Sequence, residues 1–150
     1  MAIKTVQFLA IILIALALVP GGAHLIELPN KIGMDREQYL TVQQIYRGWA
    51  LAGFVLIGAL ATTLALAILS RSQGPPFLFA TASFLLLLTT LATFFIWVFP
   101  VNQATHNWTT APKNWQALRT QWETMHAINA VITFAGLVSA VISTMTWSDS

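Results

Sequence analysis

Residues 49–101 read WALAGFVLIGALATTLALAILSRSQGPPFLFATASFLLLLTTLATFFIWVFPV, and Arg71 is the one charged side chain among them. A bilayer core about 30 Å thick is crossed by roughly 20 apolar residues rising about 1.5 Å each. The stretch holds that length twice, as Trp49 to Leu69 and Phe77 to Val101, on either side of Arg71-Ser72-Gln73-Gly74-Pro75-Pro76. Paired prolines after glycine cannot continue a helix but can begin the next one. The spacing therefore predicts two membrane-crossing helices joined as an antiparallel hairpin, since a lone segment in hydrocarbon satisfies its backbone only as a helix.

Two more runs flank the hairpin, Phe8 to Ile26 and Ala127 to Trp147. Spans at about 8–26, 49–69, 77–101 and 127–147 make residues 1–150 one all-α domain, an integral membrane four-helix bundle with two long, partly helical connections on one side. A composition of 57% hydrophobic and 8% charged residues is too apolar for a domain surrounded by water alone. In the first run, Lys4, the apolar stretch and Gly21-Gly22-Ala23 also suit a secretory signal with its cleavage site. A retained span is favoured, because Pro20 and the glycines fit the end of a membrane helix and removal would leave three helices.

The net charge of +2 is scattered among uncharged runs and gives no basic face for a nucleic acid. With no cysteine, disulfides, thiolate metal sites, iron–sulfur ligation and a cysteine nucleophile are excluded. Chemistry must rest on His, carboxylate, Arg, Tyr or Trp.

The first long connection opens with Leu28-Pro29-Asn30, a turn signal, and Asp35 then precedes Arg36-Glu37-Gln38 as an N-cap with Gln three residues on. A helix is expected from Arg36, with Tyr39, Gln43 and Tyr46 at i, i+4 and i+7, running unbroken into the second span. In the second connection Thr110-Ala111-Pro112 reads as a helix start, so the last helix should begin outside the membrane and enter it near Glu123. Lys31, Arg36, Arg47, Lys113 and Arg119 fall on the long-connection side and Lys4 and Arg71 on the other, which formally places the connections in the cytoplasm. Arg47 and Arg119 lie at the membrane boundary, where internal carboxylates can hold them, and this weakens the count.

At 3.6 residues per turn, Trp115, Arg119, Trp122, Glu123 and His126 share a stripe of the last helix, continued by Asn129, Thr133, Gly136, Ala140 and Ser143. Thr90, Thr93 and Trp97 fall at similar spacing on the third helix. His24 and Glu27 are three apart where the first helix leaves the apolar core, and Arg47 stands at the entrance to the second. Ionisable groups at this depth are costly unless paired, so convergence into one site is expected. The candidate catalytic residues are His24, Glu27, Arg47, Arg119, Glu123 and His126. The candidate substrate-binding residues are Tyr46, Trp97, Asn102, Trp115, Trp122 and Asn129.

A plainer reading has two Arg–Glu pairs and two hydrogen-bonded histidines locking the helix ends together. Tyr39, Tyr46, Trp97, Trp108 and Trp147 also suit interfacial anchors, and His106 a solvated loop. Asn107-Trp108-Thr109 matches a glycosylation sequon, a three-residue pattern that needs a secretory eukaryotic setting. Glu123-x-x-His126 has the spacing of carboxylate-bridged di-iron bundles, but those use two such motifs and two further carboxylates. No cofactor is expected. The alternative is a single zinc or iron ion held by His24, Glu27, Glu123 and His126.

Asn102, Asn107-Trp108-Thr109, Pro112, Asn114-Trp115, Leu118-Arg119, Gln121-Trp122-Glu123 and His126, with His24-Leu25-Ile26-Glu27-Leu28-Pro29-Asn30-Lys31, carry a resemblance over nearly the whole chain. The sequence resembles the anthrone oxygenase-like family of small four-span membrane proteins, in its mostly uncharacterised bacterial branch. The resemblance implies oxidation of a polycyclic anthrone to a quinone by dioxygen without an obvious cofactor. On that view His24 or His126 is the base, Glu27 or Glu123 its orienter, Arg47 and Arg119 stabilise the enolate oxygen, and Trp115 and Trp122 stack on a flat ring.

The expected function is thus membrane-embedded, oxidoreductase-like chemistry on a lipophilic aromatic molecule of anthrone or quinol type. The alternative is a non-catalytic bundle, an accessory subunit or a binding protein for a lipophilic ligand. The expected partners are the lipid bilayer and a lipophilic small molecule, with further copies of the chain or a larger membrane complex as candidates and no nucleic acid. The expected location is the cell membrane, as a multi-pass protein of the bacterial inner membrane.

Overall fold

The structure, a computed structural model, describes residues 2–148. Five helices are present among them and no strand: α1 Ala2–Lys31, α2 Arg36–Gln43, α3 Ala52–Leu69, α4 Gly74–Ala104 and α5 Trp115–Met145. All but α2 are long and apolar enough to cross a membrane. Each of the four packs beside its neighbour in the chain, and α5 closes the ring against α1. The middle of the bundle is Ile14, Ala59, Leu60, Leu87 and Ala140. Phe8, Val19, Ile26, Phe54, Leu78, Val131 and Phe134 point outward, a surface matched to hydrocarbon.

Where the surroundings are as apolar as the core, helices associate through close contact and hydroxyl bonds. Ser83 Oγ donates to the Gly136 carbonyl and Ser143 Oγ to that of Pro76, each at 2.8 Å. The Thr90 and Thr133 hydroxyls meet at 3.3 Å. These bonds join α4 to α5 along the small-residue stripe. At Gly136 a Cβ would stand 3.4 Å from a Leu87 methyl, at the edge of ordinary contact, so α4 lies close against this face of α5.

The hairpin has the expected form, with Pro75 and Pro76 in the first turn of α4. The Asp35 cap is also as read: its carboxylate accepts from the Gln38 N–H at 2.9 Å and Gln38 reaches back to the Asp35 N–H. Three expectations are corrected. Leu28-Pro29-Asn30 is no turn but the last turn of α1, which continues to Lys31 and places that cation at the negative end of the helix dipole.

The helix from Arg36 does not run into the second span. It tightens at Gln44–Tyr46, breaks at Gly48 with φ +89°, and resumes through a single tight turn at Trp49–Leu51. The last helix starts at Trp115, three residues after Pro112.

Helix α4 widens to a π turn over Phe94–Val98 just before Pro100. A proline ring collides with the carbonyl four residues back and supplies no N–H, so the local ladder shifts and the Phe99 N–H bonds Phe94. Gln121 of α5 donates to the Trp97 carbonyl at 2.9 Å and pins this wide turn. After Ala104, His106, Asn107 and Trp108 all adopt left-handed backbone, which costs about 1–2 kcal/mol for each such L-residue. The turn swings the Trp108 indole under the connection, where it is buried against Tyr39 and Trp122.

Two glycines should respond oppositely to alanine. Gly22 lies inside α1 with open space at its Cβ position, so Gly22→Ala should stabilise by about 0.5–1 kcal/mol through helix propensity. Gly48 also has open space, but its positive φ makes Gly48→Ala destabilising by about 1 kcal/mol or more. Denaturant titration in detergent reads both, and equal shifts would refute the assignment of the break to Gly48.

Candidate functional site

His24-x-x-Glu27 on α1 and Glu123-x-x-His126 on α5 are mirror-image spacings on antiparallel helices. Each puts its histidine about 4.5 Å deeper than its glutamate. The structure accordingly stacks the two imidazoles, with centroids 4.3 Å apart and planes at 27°. The two carboxylates form a layer above them, and an ammonium lies between.

That ammonium belongs to Lys31, which is 2% exposed. Its Nζ lies 3.0 Å from Glu123 Oε2, 3.4 Å from Glu27 Oε2 and 3.3 Å from His24 Nδ1, and it donates to the Tyr46 hydroxyl at 2.8 Å. Tyr46 in turn donates to Glu27 Oε2. Glu123 is fully buried, and its other oxygen accepts from the Tyr39 hydroxyl at 2.9 Å and from Gln43 Nε2 at 3.3 Å. Glu27 is the more open carboxylate, with 38% of its side chain exposed. Burial pushes both phenols well above their ordinary pKa, helped at Tyr39 by Glu123 and at Tyr46 by Glu27, so both remain hydrogen-bond donors at neutral pH.

Of the candidate residues, His24, Glu27, Tyr46, Trp122, Glu123 and His126 come together. Trp122 lies edge-on to both imidazoles, and its Nε1 donates to Asn102 Oδ1 at 2.7 Å. Arg119 is buried beside the cluster, but its guanidinium stacks 4.7 Å from the Trp115 ring and donates to the Met34 carbonyl. Asn129 lies a turn below His126, bonded to Thr93 and to the Thr90 carbonyl.

Two candidates are corrected. Arg47 is exposed and bonds Gln44 at 2.7 Å, because the break at Gly48 turns it away from the bundle. The Trp97 side chain points outward, and only its carbonyl takes part, through Gln121. The expected Arg–Glu pairs are absent among the described residues, as Lys31 takes both acids. Neither carboxylate orients a histidine; Lys31 does so for His24.

Tyr39 and Trp108 are buried instead of anchoring at an interface, while His106 is exposed as expected. Lys31, Gln43 and the Tyr39 hydroxyl also belong to the cluster. Lys31 could have been read from the spacing, since 24, 27 and 31 fall at i, i+3 and i+7 on one helix face. The four-ligand metal set does not form: the ammonium occupies its middle, and no group of three His, Asp or Glu among the described residues is arranged to hold an ion.

An open apolar groove of about 330 Å³ lies between α1 and α5, lined by Leu25, Thr124, Ala127, Ile128, Val131 and Ile132 and by neither histidine. Leu25 and Ala127 each directly follow one of the two histidines. No protein-family model, curated protein or solved structure matches the chain.

Removing Lys31 should cost far more than removing Arg47. Lys31→Met leaves Glu123 as an uncompensated buried charge and should destabilise by about 3–5 kcal/mol. Adding Glu123→Gln removes that charge and should recover part of the loss, whereas Arg47→Ala should stay within about 0.5 kcal/mol. Unfolding in mixed micelles measures all three, and an unaltered Lys31→Met protein would deny the ammonium its central role.

Proposed function

We propose that this chain is a multi-pass protein of the bacterial inner membrane that oxidises a lipophilic aromatic molecule of anthrone or quinol type with dioxygen. One observation carries the reading: two stacked imidazoles lie against a buried cation between two helices that also enclose an outward-opening apolar groove. Neither nitrogen of His126 has a hydrogen-bond partner among the described residues, which suits a base awaiting a proton. The resemblance to the anthrone oxygenase-like family supports the same chemistry.

In this scheme an imidazole takes the acidic proton of a doubly benzylic carbon, and the enolate electrons pass to dioxygen. The balance is one CH₂ and one O₂ giving one C=O and one water. Lys31 and Arg119 supply the positive field that favours the enolate, and Trp122 forms a wall against the ring. A groove facing hydrocarbon lets such a substrate arrive from the bilayer.

A second reading, a non-catalytic bundle that serves as an accessory subunit or binds a lipophilic ligand, is favoured by how fully Lys31 is satisfied. Four acceptors surround its three N–H groups, as in a purely structural staple.

Purified protein in nanodiscs, given anthrones under oxygen, separates the two. Quinone absorbance and oxygen uptake should rise together with the wild type, fall about 10²–10⁴-fold in His126→Ala, and persist in Arg47→Ala. No turnover across a panel of anthrones and quinols, or full turnover in His126→Ala, would leave the staple as the function.

A further inference from the structure

The two imidazoles lie in one stack yet have different neighbours, and the difference assigns them different protons. His24 has Lys31 Nζ at 3.3 Å from its Nδ1, with the Tyr46, Trp49, Trp122 and His126 rings packed around it. Lys31 stands between two carboxylates at 3.0 and 3.4 Å, the setting of an ammonium. An ammonium has three N–H donors and no lone pair. Its contact with Nδ1 therefore runs one way, from Lys31 N–H to the imidazole lone pair, and a neutral His24 must carry its own proton on Nε2. Which ring nitrogen is protonated is set by the bond that the other one makes.

The surrounding bonds agree in direction. Tyr46 accepts from Lys31 and donates to Glu27, so no donor in the chain from Lys31 to Glu27 is left to reverse the contact with His24. Glu123 accepts from Tyr39 and Gln43 on one oxygen and faces Lys31 with the other, which holds it as a counter-anion. Protonating His24 as well would set an imidazolium against the ammonium. Nothing comparable constrains His126, which bonds neither the lysine nor a carboxylate.

We propose that Lys31 is a positioning residue that locks His24 as an Nε2–H donor, so that the stacked pair offers one N–H donor and one nitrogen acceptor side by side. Such a pair recognises a molecule that presents an acidic proton near a carbonyl-type oxygen. His126 takes the proton, and His24 donates to the oxygen on which negative charge gathers. The assignment of base and donor rests on the oxidative reading given above; the tautomer itself does not.

The tautomer is read without any substrate. Long-range ¹H–¹⁵N spectra of ¹⁵N-histidine protein in nanodiscs, with signals assigned through His24→Asn and His126→Asn, should show His24 protonated on Nε2 alone. Lys31→Arg, which keeps an N–H donor, should retain that state, and Lys31→Met should lose it to a mixture or to the Nδ1–H form. Wild-type His24 protonated on Nδ1 would overturn the proposal. So would an unchanged spectrum in folded Lys31→Met. If Lys31→Met does not fold, the Lys31→Met/Glu123→Gln double variant takes its place.

Turnover then tests the roles. His24→Gln keeps an amide donor and should hold its rate within about tenfold of wild type, while His24→Ala loses about a hundredfold or more. His126→Gly should be inactive and recover with added imidazole. Rescue of His24→Gly but not of His126→Gly would reverse the roles. Absence of turnover in the wild type would remove the oxidative reading and leave the spectra to decide the tautomer.

Discussion

One ammonium, that of Lys31, organises the end of the bundle that carries the long connections. Neither it nor Glu123 could stand at this depth alone, because an unpaired buried charge costs several kcal/mol. Together they need geometry to recover their lost hydration, and the remaining donors come from the connection between α1 and α3. Tyr39, Gln43 and Tyr46 all reach in from that segment. The cluster thus does more than join α1 to α5. It also folds the connection down over the helix ends and determines where the aromatic side chains lie.

The two glutamates are not equivalent within this arrangement. Tyr39 and Gln43 donate to one oxygen of Glu123, the Lys31 ammonium faces the other, and none of its surface reaches solvent, which fixes this carboxylate in place. Glu27 shares its contacts with Tyr46 and Lys31 and keeps an open edge. Toward the other end of the bundle the polar bonds change in kind. Ser83, Thr90, Thr133 and Ser143 bond carbonyls or each other without any charge, which is the cheaper way to hold helices together in an apolar medium.

The spans were legible in the sequence because their solvent demands length and apolarity, and both can be counted directly. The helix boundaries were less so, since Pro29 is a breaker by local rule but is carried within α1 by a tertiary anchor two residues on. That one residue hid Lys31. Arg47 was chosen for its depth, but depth says nothing about azimuth, and a glycine at positive φ rotated it out. The left-handed run at His106, Asn107 and Trp108 has only a weak sequence signal, since His and Asn tolerate positive φ but Trp does not, and burial of the indole holds the third. The charge count for orientation changes as well. Lys31 and Arg119 are held inside the protein, so the five cations of the long-connection side become three, against two opposite.

The mirrored spacing on α1 and α5 explains why the charge cluster and the imidazoles can coexist within one turn of helix. Antiparallel helices carrying His-x-x-Glu and Glu-x-x-His must bring like residues to like depth, so the acids face the connections and the histidines face the hydrocarbon. A full charge is held where Tyr, Gln and Lys donors are available, while a ring that can stay neutral takes the deeper and drier level. The groove between the same helices runs from Thr124, level with the carboxylates, down to Ile132. The polar groups change in steps along the bundle axis, from an open carboxylate through a compensated ion pair to two stacked imidazoles and then to the uncharged amide and hydroxyl bonds of Asn129, Thr93, Thr90 and Thr133.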